Sequence, residues 1–188
     1  MDNVTILSQP PPRRPRLTRA ALESTPDDGY RYELLDGELF VTPAPGYRHQ
    51  RVSGRLHSLL DTQCPGGLVV LSAPFAVGLS EDTEVQPDLL VAPRDAFTNK
   101  DLPSAPLLAV EVLSNSTRRT DLQLKWERYQ RAGVASYWIV DPGEPGPHLT
   151  VWDLVEGAYT KTAEIGPDDT WEATSPFAVV ITPGKLVD

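Results

Sequence analysis

Two periods of apolar and polar residues alternate along this chain. Residues 30–41 are rich in β-forming residues and break at Asp36-Gly37, a pair that between apolar runs predicts a tight hairpin. Residues 49–61 change to a helical period, with Val52, Leu56, Leu59 and Leu60 on one stripe and His49 at its edge. Strands are expected at 68–71 and 75–79, then as one apolar strand over 85–91 that carries Asp88 just after Pro87. An acidic loop precedes that strand, and residues 97–106 read as a loop. A strand at 107–113, a turn at 114–117, a helix at 118–132, Gly133 and a strand at 136–141 form the longest regular stretch. A late hairpin turns at Glu156-Gly157, and residues 177–181 make a last strand. Upstream, residues 17–23 suit a short helix capped by Thr18. Strands interspersed with helices predict an α/β (α+β) protein.

Three charged residues break the apolar pattern. Glu111 lies in the run Leu-Leu-Ala-Val-Glu-Val-Leu, on the face of Ala109 and Leu113, while Val110 and Val112 face the other way. Both faces are apolar, so the strand is central and its carboxylate needs a partner, a metal or a proton; the plainer reading is a strand-end Glu reaching solvent. Lys125 falls about 60° from Leu122 at 100° per residue, inside a core-facing stripe of Leu122, Trp126 and Tyr129. Its side chain tilts toward the helix start, beside the turn after Glu111. The plainer reading is an exposed Asp121–Lys125 pair worth about 0.3–0.5 kcal/mol. Asp88 is a second acid entering a buried strand. Glu33 and Glu38 flank the early hairpin, where either suits a solvent-facing position.

Length and charge narrow the picture. The chain has 188 residues, 19 prolines, one cysteine and a formal net charge of −9. Residues 1–16 are Pro- and Arg-rich without periodicity, which predicts a disordered tail; residues 17–188 suffice for a single domain. No apolar run reaches membrane-spanning length, and no signal-peptide h-region opens the chain. The lone Cys64 excludes an intramolecular disulfide framework and suits a reducing cytoplasm. Net acidity argues against general affinity for nucleic acid, leaving Arg13, Arg14 and Arg16 and the basic helix with Arg118, Arg119, Arg128 and Arg131 as candidate footprints. His49 is either structural or a substrate contact. Dinucleotide, Walker A, His/Cys metal and G-x-S-x-G motifs are absent from the sequence.

Asp88, Glu111 and Lys125 make one chemistry coherent. Two carboxylates about 4 Å apart repel by roughly 4 kcal/mol at an effective dielectric of 20, which a divalent cation or an ammonium relieves. Oxygen ligands without Cys or His suit Mg²⁺ or Mn²⁺. Such a cation with a nearby Lys suits phosphodiester hydrolysis.

The ordered segments Tyr32-Glu33-Leu34-Leu35-Asp36-Gly37-Glu38, Gln86-Pro87-Asp88, Val110-Glu111-Val112-Leu113-Ser114, Asp121-x-x-x-Lys125-x-x-x-Tyr129 and Tyr137-Trp138-Ile139-Val140-Asp141-Pro142 resemble the Uma-two family. Those are bacterial restriction-endonuclease-like proteins of the PD-(D/E)XK nuclease superfamily. The resemblance runs from about Leu17 to the last strand. It implies a restriction-endonuclease-like mixed β-sheet flanked by helices, with an N-terminal β-hairpin. It implies that Asp88 and Glu111 ligate metal, with Glu33 completing the site. Leu113 stands where the superfamily's lysine usually stands, and Lys125 matches the family's relocated one. Gln86 and His49 are implied to line the site or meet substrate, with Arg118 and Arg119 as further substrate contacts. Asn115 replaces the family's usual proline, which alters the turn.

The implied function is a Mg²⁺- or Mn²⁺-dependent endonuclease acting on DNA, as a homodimer, since cutting two strands suits a twofold assembly. Alternatives are a catalytically silent nuclease-fold module that binds nucleic acid or a protein, and a hydrolase of RNA or another phosphodiester.

Overall fold

The computed structural model describes residues 16–187, so the expectation of a disordered tail lies outside the described residues apart from Arg16. In chain order the elements are β1 (Arg31–Leu35), β2 (Glu38–Thr42), α1 (Tyr47–Gln63), β3 (Leu68–Ser72), β4 (Ala76–Ser80), β5 (Thr83–Val85), β6 (Leu89–Pro93), β7 (Asp101–Leu102) and β8 (Leu108–Val112). A π-helical turn (Thr120–Lys125) then runs into α2 (Trp126–Ala132), followed by β9 (Ser136–Asp141), β10 (His148–Val155), β11 (Ala158–Ile165), β12 (Trp171–Ala173) and β13 (Val179–Ile181).

Six strands form a mixed sheet in the order β11-β10-β9-β8-β6-β3, with β8 and β9 as its parallel pair. Five form a second sheet in the order β2-β1-β5-β4-β7, and β12 pairs with β13. The alternation along β8 decides the packing. Val110 and Val112 join Val52, Leu56 and Leu60 of α1 in one core, closed by Val179 and Ile181 of β13. Ala109 and Leu113 join the opposite core with Tyr129 of α2 and with Leu35, Val77 and Val85 of the five-stranded sheet. Glu111 therefore points between the two sheets, toward α2, and is 1 % exposed.

The expected hairpin is present, with Asp36 and Gly37 both at positive φ, 50° and 76°, as a tight turn of this hand requires. Several expectations are corrected. The apolar run at 85–91 is two strands in different sheets, β5 and β6, because Pro87 lacks an N–H for a ladder and the chain changes sheet at Gln86-Pro87-Asp88. The residue 97–106 loop contains the short β7, and β12 escapes the period-2 reading because it spans three residues. Residues 17–23 form a tight 3₁₀ turn (Arg19–Ser24), and the Thr18 side chain does not cap it. The predicted stripe on the long helix holds at Lys125, Trp126 and Tyr129 but fails at Leu122. A π turn has more than 3.6 residues, so Leu122 faces solvent at 42 % exposure while Asp121, Lys125 and Tyr129 face inward. Among the described residues no helix is long and apolar enough to cross a membrane.

Candidate active site

The antiparallel register of β6 with β8 pairs Leu89 with Val110, so one step outward Asp88 stands opposite Glu111. Glu33 arrives from β1 on the other sheet, and Lys125 descends between them at the end of the π turn. All four are buried. The exposed readings of Glu111, Glu33 and the Asp121–Lys125 pair are therefore corrected, whereas Glu38 is exposed. The helix brings its charged face inward because three acids converge on one ammonium.

The Lys125 Nζ lies 2.9 Å from Glu33 Oε1, 3.0 Å from Glu111 Oε1 and 3.6 Å from Asp121 Oδ1. Tyr129 donates to the same Glu111 oxygen at 2.9 Å, and the backbone N–H of Gln86 donates to Glu33 Oε1 at 2.7 Å. Tyr137 donates to the Asp121 carbonyl at 3.0 Å, tying the π turn to β9. Burial alone would lower the Lys125 pKa, but Glu111, Glu33 and Asp121 outweigh it and hold the ammonium above its usual value. Lys125 is thus a cation and hydrogen-bond donor held among these acids. Burial pushes Glu111 well above the usual carboxylate range; Lys125 opposes the shift, while Asp121, Asp88 and Glu33 add to it. Burial likewise raises Asp121, against Lys125 and Thr117.

Asp88 has different company. Arg31 places both Nη1 and Nη2 3.1 Å from Asp88 Oδ1, and Nη1 also donates to the Gln86 carbonyl at 3.2 Å. Asp88 Oδ2 accepts the Val112 N–H at 2.8 Å and meets His49 Nε2 at 3.0 Å. Burial raises the Asp88 pKa, but His49, Arg31 and Val112 prevail and hold it below the usual range. Two hollows meet at this residue. A pocket of about 90 Å³ is lined by Asp88, Glu111, Arg31, His49 and residues of the 114–117 turn. A cleft of about 580 Å³ is lined by Asp88, Arg31, His49, Gln86 and Tyr30 among others.

The donor chemistry can be tested against a divalent cation. Glu33, Asp88, Glu111 and Asp121 face two permanent cations, Arg31 and Lys125, so the carboxyl groups outnumber the cations by two. Asp88 and Glu111 are hard oxygen donors bordering one small pocket. Among the described residues no three Asp, Glu, His or Cys side chains form a ready cage for a metal. Mg²⁺ is commonly held by one or two carboxylates, with water and phosphate oxygens completing its shell. The residues fit such an ion, on the condition that it competes with Arg31 for Asp88.

The structure thus brings together Asp88, Glu111, Lys125, Glu33, His49 and Gln86. It does not bring Arg118 or Arg119 to them. Arg118 pairs with Asp141 at 2.6 Å and lines a separate cavity of about 600 Å³ with Trp126 and Trp152. The Arg119 Nε contacts Gln123 Oε1 at 3.4 Å on the helix exterior. Arg31, the inward role of Asp121 and the polar role of Tyr129 escaped the sequence reading. The Asp121-x-x-x-Lys125-x-x-x-Tyr129 spacing was the only signal for the last two, and Arg31 left none.

Comparison with known proteins agrees with this architecture. No curated protein matches the chain. A solved structure described as a putative nuclease belonging to DUF820, from Anabaena variabilis ATCC 29413, superposes with a TM-score of 0.73 at 17 % identity, covering 91 % of this chain and 97 % of its own. The shared fold is restriction-endonuclease-like, a mixed sheet flanked by helices. The model of the family described as "Uma2: Putative restriction endonuclease" matches residues 19–183, which takes in every residue of the site, and the chain belongs to that family.

Proposed function

We propose that the chain is a Mg²⁺- or Mn²⁺-dependent endonuclease that hydrolyses DNA phosphodiester bonds in the pocket between Asp88 and Glu111. The observation that carries this reading is the pairing of two acids from adjacent strands at one small pocket, with a fixed ammonium 3.0 Å from one of them. Asp88 and Glu111 hold the cation. When bound, it supplies Lewis-acid stabilisation of the phosphorane charge and lowers the pKa of its water. Tyr129 and Lys125 lock Glu111 in one orientation by bonding the same oxygen. Glu33, turned to Lys125 and to the Gln86 N–H, positions the ammonium. His49 holds Asp88 from the cleft side, where the nucleic acid strand enters past Gln86.

Supercoiled plasmid with Mg²⁺ or Mn²⁺ tests the reading, beside Glu111→Gln and parallel single-stranded DNA and RNA. Metal-dependent nicking that disappears in the variant is the expected result. Cleavage confined to RNA would move the substrate class.

A second reading, a silent nucleic-acid- or protein-binding module, draws on the engagement of both Asp88 oxygens by protein groups and on the net charge of −9. It predicts that wild type leaves all three substrates intact.

A further inference from the structure

We propose that Arg31 is a displaceable counter-ion of Asp88 that becomes a phosphate-binding residue once a divalent cation takes its place. The inference rests on the metal-dependent reading above and deepens it.

Three observations converge. The Arg31 guanidinium crowds both terminal nitrogens onto one oxygen of Asp88, because His49 and the Val112 N–H hold the other. That grip forgoes the two-oxygen fork that makes arginine–carboxylate pairs strong. Arg31 also borders both the 90 Å³ pocket and the 580 Å³ cleft, so its head group stands where the metal site opens toward substrate. Finally, its side chain is 19 % exposed, against 2 % for Lys125, whose three acids leave it nowhere to go.

Electrostatics supplies the direction of exchange. A cation at Asp88 repels the guanidinium and takes its acceptor. Arginine cannot shed its charge, so it needs another anion. A phosphate in the cleft presents two oxygens with the spacing its fork matches. Asp88 would thus bind the arginine while the site is empty, and metal loading would release it to substrate.

The test uses the full chain, Arg31→Gln and Arg31→Lys. Calorimetric titration with Mn²⁺ should show Arg31→Gln binding about tenfold more tightly than wild type, the scale of removing one competing charge. A labelled DNA duplex should bind wild type and Arg31→Gln equally without metal. With Ca²⁺, a hard oxygen-binding ion, the variant should bind about tenfold more weakly and its salt slope should drop by about one. A purely structural arginine would move neither the metal affinity upward nor the salt slope. If wild type binds Mn²⁺ and folded Arg31→Gln binds it no more tightly, the exchange is overturned and the nuclease reading stands. Binding by neither protein overturns both. Should Arg31→Gln not fold, Arg31→Lys decides. It keeps a cation at Asp88 but lacks the fork, so Mn²⁺ affinity should hold and Ca²⁺-loaded duplex affinity should fall; unchanged duplex binding overturns the role.

Discussion

Lys125 and Arg31 hold neighbouring acids in one site, yet their situations differ. Lys125 touches Glu33, Glu111 and Asp121, and both it and its partners are about 2–3 % exposed. Arg31 holds one oxygen of Asp88 and keeps an open side toward the cleft. Arg19 extends the series outward: it bridges Glu84 and Asp101 at 30 % exposure. Cations of one sign thus act as a core element, a replaceable partner and a surface brace. Depth decides which, because a buried charge that loses its partner costs several kcal/mol and an exposed one costs little.

Breaking the deepest member should have the largest effect. Lys125→Met leaves three buried acids without their cation, and denaturant unfolding should show a loss of about 3–5 kcal/mol. Restoring part of that stability with Glu33→Gln in the same chain would sharpen the assignment, since the second change removes one stranded charge. At the middle member the expected damage is functional. Asp88→Asn keeps an acceptor for Val112 N–H but loses the anionic ligand. Mn²⁺ affinity should fall by more than the roughly 100-fold that loss of an outer-shell partner costs.

The outermost member should register weakly at neutral pH and fade in acid. Asp101 is held below its usual range first by the Thr98 hydroxyl and then by Arg19, against the opposing effect of burial. A depressed carboxylate contributes stability above its unfolded pKa, near 4, and loses it as pH falls through the lower folded value. Asp101→Asn should therefore lower stability slightly at pH 7, by no more than about 1 kcal/mol, and converge on wild type below about pH 4, flattening the curve there, as read by thermal unfolding across pH. Smallest of all, Leu122→Glu should change stability by no more than about 0.5 kcal/mol, because the π turn puts Leu122 in solvent. A loss of core-residue size would instead favour an uninterrupted α register.

Much of this was legible in the chain because each signal is local. The Asp36-Gly37 hairpin needs only positive φ at two residues. Glu111 stands out because an acid within Leu-Leu-Ala-Val-Glu-Val-Leu is costly wherever that strand lies, and β8 does present Ala109, Glu111 and Leu113 to one face. Asp88 and Lys125 were visible on the same ground. Arg31 was not: it sits between two tyrosines at a strand start, where a charge offends no pattern.

What the sequence determined by itself was therefore most of the longer elements, the three charges Asp88, Glu111 and Lys125 that cannot be left unpaired, and membership of the family over residues 19–183. Tertiary structure alone decided the partners. The switch of sheet at Pro87 sets Asp88 opposite Glu111, and the separate sheet of β1 delivers Arg31 to Asp88 and Glu33 to Lys125. The π turn then rotates Asp121 and Lys125 inward in place of Leu122. Each of these depends on strands or turns meeting across long sequence separations, and side-chain periodicity carries no record of which distant partner a buried charge will find.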